Sequence, residues 1–176
     1  MYILTRLQNK IFRLLCIKAG EKINQRRISK LVNATPSGVA KALKELEEKE
    51  LVVIEKDEYM NLNLITLNRT SVVLRFKQLE NLKQVYELKL VNFLEENFPG
   101  TTIILFGSYA RGEDTVKSDV DIAIIEGKER VINLEFFEKT LERHININFY
   151  KSLKQVNKEL KENICNGIVL VGGIEL

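Results

Sequence analysis

Apolar residues recur along the first third of the chain at helical steps. In residues 5–18, Leu7, Ile11, Leu14 and Leu15 fall on one face, which predicts an amphipathic helix. Residues 24–32 predict a second, short helix, and Asn33-Ala-Thr-Pro36 reads as a turn after which Thr35 or Ser37 can cap a third. That third helix is predicted over residues 37–48. Its Val39, Leu43 and Leu46 face inward, with Ser37, Lys41 and Lys44 on or near the other side. The period then changes to two: residues 51–56 alternate into Asp57-Glu58 and return through residues 61–67, the pattern of a hairpin with an acid-rich tip.

From residue 69 to 98 the helical period returns in Leu74, Leu79, Leu82, Tyr86, Leu90, Phe93 and Leu94, until Pro99-Gly100 stops it. One long helix is predicted, able to span about 40 Å at 1.5 Å per residue. Its second half reads as the first helix of a following domain, and its first half as a rigid connector or a dimer seam. Beyond it come an apolar strand over 101–106 and a second over 119–125. A helix over 129–143 follows, with Val131, Leu134, Phe137 and Leu141 inward, then a cleanly alternating strand over 145–149. A helix from Ser152 to about residue 163 and an apolar strand over 167–171 complete the pattern. Strands and helices alternate as in an α/β or α+β layer. Two domains are expected, residues 1–70 and residues 71–176, joined through a connecting helix over 71–98. No Gly/Ser-rich linker separates them.

The chain's 176 residues, 45% of them hydrophobic, leave room for a real core. No apolar run approaches the ~20 residues of a membrane-spanning helix, and the first residues lack a signal peptide's order of regions, so a cytoplasmic protein with no membrane partner is expected. Cys16 and Cys165 form no metal-ligand spacing and read as reduced thiols. With His144 as the only histidine, a histidine-based zinc site is disfavoured. The net charge of +3 divides unevenly: residues 1–70 carry +5 and residues 71–176 carry −2. An asymmetry of this sign fits a nucleic-acid-binding front joined to an acidic catalytic or partner-binding back.

Candidate chemistry concentrates in Phe106-Gly-Ser-Tyr-Ala-Arg-Gly112 and the following Ser118-Asp-Val-Asp. Alternate residues of a strand share a face, so Asp119 and Asp121 can point at one spot. Two convergent carboxylates suit Mg²⁺ (or Mn²⁺), which takes oxygen ligands and shares them with substrate phosphates. A helix starting near Ser108 would turn its free N–H groups toward an anion, and Gly107 would let a phosphate approach the backbone.

These residues resemble the signature of the polymerase-beta-type nucleotidyltransferases, and best their minimal nucleotidyltransferase branch. The resemblance implies that Gly107 and Ser108 hold a nucleoside triphosphate. It also makes Asp119 and Asp121 the catalytic, metal-binding acids that drive attack on the α-phosphate. Arg111 has two readings, a fork for phosphate charge or a structural partner of Asp119 or Glu113. Ser118 is expected to cap or orient the turn at Asp119, Tyr109 to be a surface or stacking residue rather than a nucleophile, and His144 to be exposed rather than a general base. The family commonly sets a third carboxylate on the strand after the helix. Here Asn146 stands in that position, with Asn148 on the same face; an amide can offer a carbonyl oxygen but cannot take a proton.

Residues 5–68 resemble winged helix-turn-helix regulators of the MarR or ArsR type. The resemblance implies that the third helix enters the major groove of double-stranded DNA. Arg26, Arg27, Ser37, Lys41 and Lys44 are the DNA-binding candidates, with Lys30 a further phosphate partner. A compact helical module for protein contacts is the alternative. The expectation for the whole chain is an N-terminal winged helix (α+β) and a C-terminal α/β nucleotidyltransferase fold with a mixed sheet flanked by helices. Its expected reaction is nucleotide transfer from a triphosphate, ATP being the first guess, to an unspecified acceptor. Two rivals stand beside this: a regulator whose reduced catalytic domain senses a nucleotide, and an antitoxin-like partner of a small helical toxin. A homodimer is a further expectation.

Overall fold

A computed structural model describes residues 3–57 and 62–174. The chain divides into two compact units, Met1–Lys77 and Gln78–Leu176.

In the first unit, α1 (Arg6–Ile17) starts at a reciprocal cap. The Thr5 hydroxyl accepts from the Gln8 N–H at 3.3 Å, and the Gln8 side-chain oxygen accepts from the Thr5 N–H at 2.9 Å, so two orphan donors are satisfied together. Asn24 caps α2 (Gln25–Leu31) and Thr35 caps α3 (Pro36–Glu48), whose leading proline is preset for a first turn. The hairpin is β2 (Val52–Lys56) against β3 (Asn63–Leu67), in register from Val52↔Leu67 to Lys56↔Asn63. Asp57 is the last described residue before its tip, and Glu58 lies outside the described residues. A strand that periodicity does not reveal, β1 (Ile23–Asn24), pairs with the other edge of β3 and makes a three-stranded sheet. Ile11, Leu15, Ile23, Ile28, Val39, Leu43, Leu46 and Ile65 form the core. Three helices closed by a β hairpin make this unit a winged helix.

The single helix expected over residues 71–98 is two. Here α4 (Ser71–Glu87) ends, Lys89 takes a left-handed conformation at φ 58°, and α5 (Leu90–Asn97) starts afresh. The turn buries Leu90 and Leu94, while Leu79 and Tyr86, expected on the apolar face, stay exposed. The inward positions of α4 include Asn81 and Gln84 instead. For Asn81 that inversion is explained by the hydrogen bonds described below, whereas Gln84 Nε2 donates to the Glu80 carbonyl of its own helix at 3.4 Å.

The second unit is built on a mixed sheet of order β6-β5-β4-β7. Its strands are β4 (Thr102–Phe106), β5 (Val120–Ile125), β6 (Ile145–Tyr150) and β7 (Ile168–Val171). β5 and β6 are parallel, and β4 is antiparallel to both β5 and β7. One face packs Ile103, Leu105, Val120, Ile122, Ile124 and Ile145 against α5 and against α7 (Glu135–Leu141). The other packs Ile104, Phe106, Ala123 and Ile125 against Leu153 and against Ile164 of α8 (Lys158–Cys165).

Two helices are shorter than their sequence pattern. The helix expected over 129–143 is confined to α7, and Val131, expected inward, is 97% exposed. The Asn133 side-chain oxygen accepts from the Glu135 N–H at 3.0 Å, so a local side-chain bond sets the start of the helix four residues later than Val131. The helix expected from Ser152 splits into a 3-10 turn, Leu153–Gln155, and α8. Asn157 caps α8 by accepting from the Leu160 N–H at 2.9 Å.

Candidate active site

Three strands meet at one rung. Phe106 at the end of β4 pairs with Asp121 of β5, and Asp121 pairs with Asn146 of β6. Asp119 lies just before β5, exposed, with Asp121 half-buried. The Asn146 amide donates to Asp119 Oδ2 at 3.0 Å and lies 3.4 Å from Asp121 Oδ1. The two carboxylates expected to converge do so, and the amide nitrogen bridges them.

After Phe106 the backbone turns at Gly107 (φ 77°) into the single turn α6 (Gly107–Arg111), which Gly112 (φ 72°) closes. A Cβ on residue 107 would stand 2.5 Å from Asp121 Oδ2. Glycine is therefore demanded twice, by the left-handed backbone and by the carboxylate that fills the side-chain space. Ser108 is half-buried beside it.

The loop returning to Asp119 is held from several sides. Ser118 Oγ accepts from the Thr115 N–H at 3.0 Å, the orienting role expected of it. Asp114 is buried: it accepts from Asn81 Nδ2 of α4 at 2.7 Å and from Arg143 Nη2 at 3.1 Å. Asn81 Nδ2 also donates to the Tyr109 carbonyl at 2.9 Å, and Gln78 Nε2 to the Ala110 carbonyl at 2.7 Å. Polar positions of α4 thus face inward because they serve the last carbonyls of α6: the Tyr109 carbonyl, which also accepts from the Gly112 N–H at 3.2 Å, and the Ala110 carbonyl beyond it. None of Gln78, Asn81, Asp114 or Arg143 stood out in the sequence, since nothing local marks a polar residue whose partner lies about thirty residues away.

Arg111 is engaged by neighbouring side chains. Its Nε meets Glu113 Oε2 at 2.8 Å and its Nη1 donates to Asn163 Oδ1 of α8 at 2.9 Å. Glu138 is engaged by His144 Nδ1 at 2.5 Å and by the Ile145 N–H at 3.0 Å, which anchors the start of β6. Among the described residues no group of three or more His, Cys, Asp or Glu side chains could hold a metal, so the acids at the rung number two. Further along β6, Asn148 and Tyr150 share the face of Asn146. The Tyr150 hydroxyl is raised above its ordinary pKa, first by burial and second by the charge of Asp121.

In the winged helix, Arg26, Arg27, Lys30, Ser37, Lys41 and Lys44 are all exposed. Ser37, Lys41 and Lys44 follow one face of α3, and Gln25 Nε2 ties the start of α2 to the Pro36 carbonyl at 3.2 Å. A cavity of about 700 Å³ opens there, lined by Arg26, Ser29, Lys30, Asn33, Thr35 and Pro36 among others. Arg27 is also 3.7 Å from Glu21.

Residues 88–173 match the family model described as a nucleotidyltransferase domain. Two Methanocaldococcus jannaschii proteins provisionally named protein adenylyltransferases are similar to this chain. MJ1215 is 42% identical over 64 residues, 36% of this chain and 72% of the relative. MJ1379 is 31% identical over 97 residues, 50% of this chain and 96% of the relative. Among solved structures, the zinc-responsive MarR family member ZitR of Lactococcus lactis is 24% identical, with a TM-score of 0.43 over 56% of this chain and 66% of its own. The S. aureus MepR–DNA complex is 22% identical, with a TM-score of 0.39 over 53% and 81%. With its glycine turn, its two acids and these relatives, the chain belongs to the nucleotidyltransferase domain family.

Proposed function

We propose that the second unit transfers a nucleoside monophosphate from a nucleoside triphosphate to a hydroxyl acceptor. The observation that carries this reading is the single rung on which Phe106, Asp121 and Asn146 meet, with Gly107 packed against Asp121 and Asp119 beside it. Gly107 and Ser108 offer backbone and hydroxyl donors to phosphate oxygens. In the transfer, an acceptor oxygen forms a bond to the α-phosphorus, and the bond to the bridging oxygen of the β-phosphate breaks. Pyrophosphate leaves. Asn146 cannot accept the acceptor's proton, so the proton must go to another group or to water.

The donor set fits a divalent cation. Asp119 and Asp121 present hard carboxylate oxygens that converge on one amide nitrogen, and Asn146 can present its carbonyl oxygen by rotating the same amide. Mg²⁺ or Mn²⁺ held there by Asp119 and Asp121 would neutralise triphosphate charge and polarise its phosphoryl oxygens. The names of the M. jannaschii relatives point to a protein side chain as acceptor and to an adenine nucleotide as donor.

The winged helix is assigned to double-stranded DNA, with Arg26, Arg27, Lys30, Lys41 and Lys44 meeting phosphates and Ser37 at the head of α3. Support comes from their common exposure on α2 and α3 and the +5 charge of residues 1–70. A second reading, a regulator that senses rather than transfers the nucleotide, is favoured by one observation: the amide at position 146 where the resemblance leads one to expect a third acid. Incubation with triphosphates labelled at the α-phosphate, Mg²⁺ or Mn²⁺ and candidate protein acceptors separates the two. Transferred label supports the enzyme; tight binding without transfer supports the sensor.

A further inference from the structure

We propose that Asn148 and Tyr150 of β6 form the nucleoside half of the substrate site, Asn148 hydrogen-bonding the sugar and Tyr150 giving the base an aromatic surface. This rests on the nucleotidyltransferase reading and adds where the nucleoside lies. Parallel pairing sets Asp121, Ala123 and Ile125 beside Asn146, Asn148 and Tyr150, so all six residues belong to one sheet face. Going along β6 from the carboxylates, the first side chain is Asn146, already engaged with both acids. Next comes Asn148, half-buried, whose amide makes no hydrogen bond among the described residues and keeps both a donor and an acceptor available. Last comes Tyr150, whose hydroxyl is within electrostatic reach of Asp121 and stays protonated.

The span is right for one nucleotide. From Asn146 to Tyr150 the strand advances about 13 Å at ~3.3 Å per residue, roughly the reach from an α-phosphate to the far side of its base. Beside Tyr150 a cavity of about 380 Å³ is lined by Phe149, Val156 and Leu160 together with Lys151, Ser152, Gln155 and Asn157, apolar side chains among hydrogen-bonding ones. Apolar contact for the ring and polar groups for its edge are what a base requires. β6 is the sheet's edge strand, and Asn148 and Tyr150 are only half-buried on it, beside the part of the same face where Leu153 and Ile164 cover Ala123 and Ile125. Another cavity, of about 520 Å³, opens at Thr101, Thr102 and Gly172, at the start of β4, whereas Gly107 follows its end. A nucleoside anchored at Gly107 and Asp121 is directed along β6 instead.

The test compares two probes, ATP and inorganic tripolyphosphate, each titrated calorimetrically with Mg²⁺ into the full chain and its variants. Asn148→Leu and Tyr150→Ala are expected to weaken ATP roughly tenfold and to leave tripolyphosphate unchanged, with Tyr150→Phe near wild type on both because the ring remains. Unchanged ATP affinity in both variants, or equal losses for the two probes, overturns the nucleoside assignment while the phosphate site stands. If the wild-type chain binds neither probe, the nucleotidyltransferase reading falls and the nucleoside site with it.

Discussion

Asp121 places a carboxylate oxygen where the side chain of residue 107 would begin, 2.5 Å from an ideal Cβ on Gly107. The two halves of the motif, fourteen residues apart, are thereby fitted to each other sterically. The acid that would hold a cation and the glycine that would seat a phosphate cannot move independently.

Gly107→Ala is accordingly expected to do more than strain a turn. The left-handed backbone costs about 1–3 kcal/mol with a side chain present, and Asp121 must also swing away. A displacement of about an ångström in a catalytic group can reduce rate ~100-fold, and a loss of that order in nucleotide transfer is expected. Gly100→Ala is the control, with a similar φ of 74° and nothing within 4 Å of its Cβ. It should lower the urea midpoint and spare transfer. Equal transfer rates in the two variants would falsify the steric coupling of Gly107 to Asp121.

The buried pair beneath the site makes a prediction about stability. Arg143 and Asp114 have side chains 1% and 0% exposed, and removing one partner leaves the other charged and out of water. Asp114→Ala should cost about 3–5 kcal/mol in urea unfolding monitored by circular dichroism. A cost under about 1 kcal/mol would mean that solvent reaches the pair.

The pH dependence follows from Tyr150, whose hydroxyl is raised from 10.0 by burial and by Asp121. The fold holds the proton more tightly than the unfolded chain does. Its contribution to stability is therefore whole below pH 10 and is lost as pH rises through the raised folded value. Asp121→Asn removes the smaller cause, so Tyr150 should ionise earlier and yet still above an ordinary tyrosine. The difference in tyrosinate absorbance between each protein and its Tyr150→Phe counterpart isolates this one group. An unchanged titration in Asp121→Asn would show that the carboxylate and the phenol do not face each other.

Much of this site was readable from period and spacing alone. The two-residue spacing of Asp119 and Asp121 in an apolar run placed them on one side of a strand, and the alternation over 145–149 put Asn146 and Asn148 together on β6. What escaped was set by a local side-chain bond in one case and by partners distant in sequence in the others. The pattern through 129–143 is helical, but Val131 meets no core, and Asn133 starts the helix late. In α4, Asn81 is buried because it serves the Tyr109 carbonyl and Asp114, a reason no window of neighbouring residues contains. β1 is two residues long, too short to carry a period.

DNA binding by the first unit is expected to be salt-sensitive. Lys41 and Lys44 are exposed on α3 with Ser37, and removing one lysine that neutralises a phosphate should flatten the slope of log affinity against log salt by about 0.9. Gel-shift or anisotropy titrations of the full chain over a salt series, comparing Lys41→Ala and Lys44→Ala with wild type, measure it. No binding to any duplex at about 50 mM salt would make the unit a protein-contact module.

The decisive substitution is Asn146→Asp. Its amide nitrogen lies 3.0 Å from Asp119 Oδ2 and 3.4 Å from Asp121 Oδ1, so it stands as the positive end of a dipole between two negative groups. A carboxylate in its place puts three like charges at that rung, and without a divalent cation the fold should lose stability. With Mg²⁺ the third carboxylate becomes an added ligand and the loss should be recovered. Thermal unfolding with and without Mg²⁺ reads this independently of any activity, and the variant's melting temperature should respond to Mg²⁺ far more than the wild type's. Transfer should rise as well, because the added acid can take the acceptor's proton, and each tenfold gain corresponds to ~1.4 kcal/mol off the barrier. Triphosphate affinity should change little, since Asp119 and Asp121 remain. A variant that is slower than a brisk wild type would mean that position 146 is not where this site needs an acid.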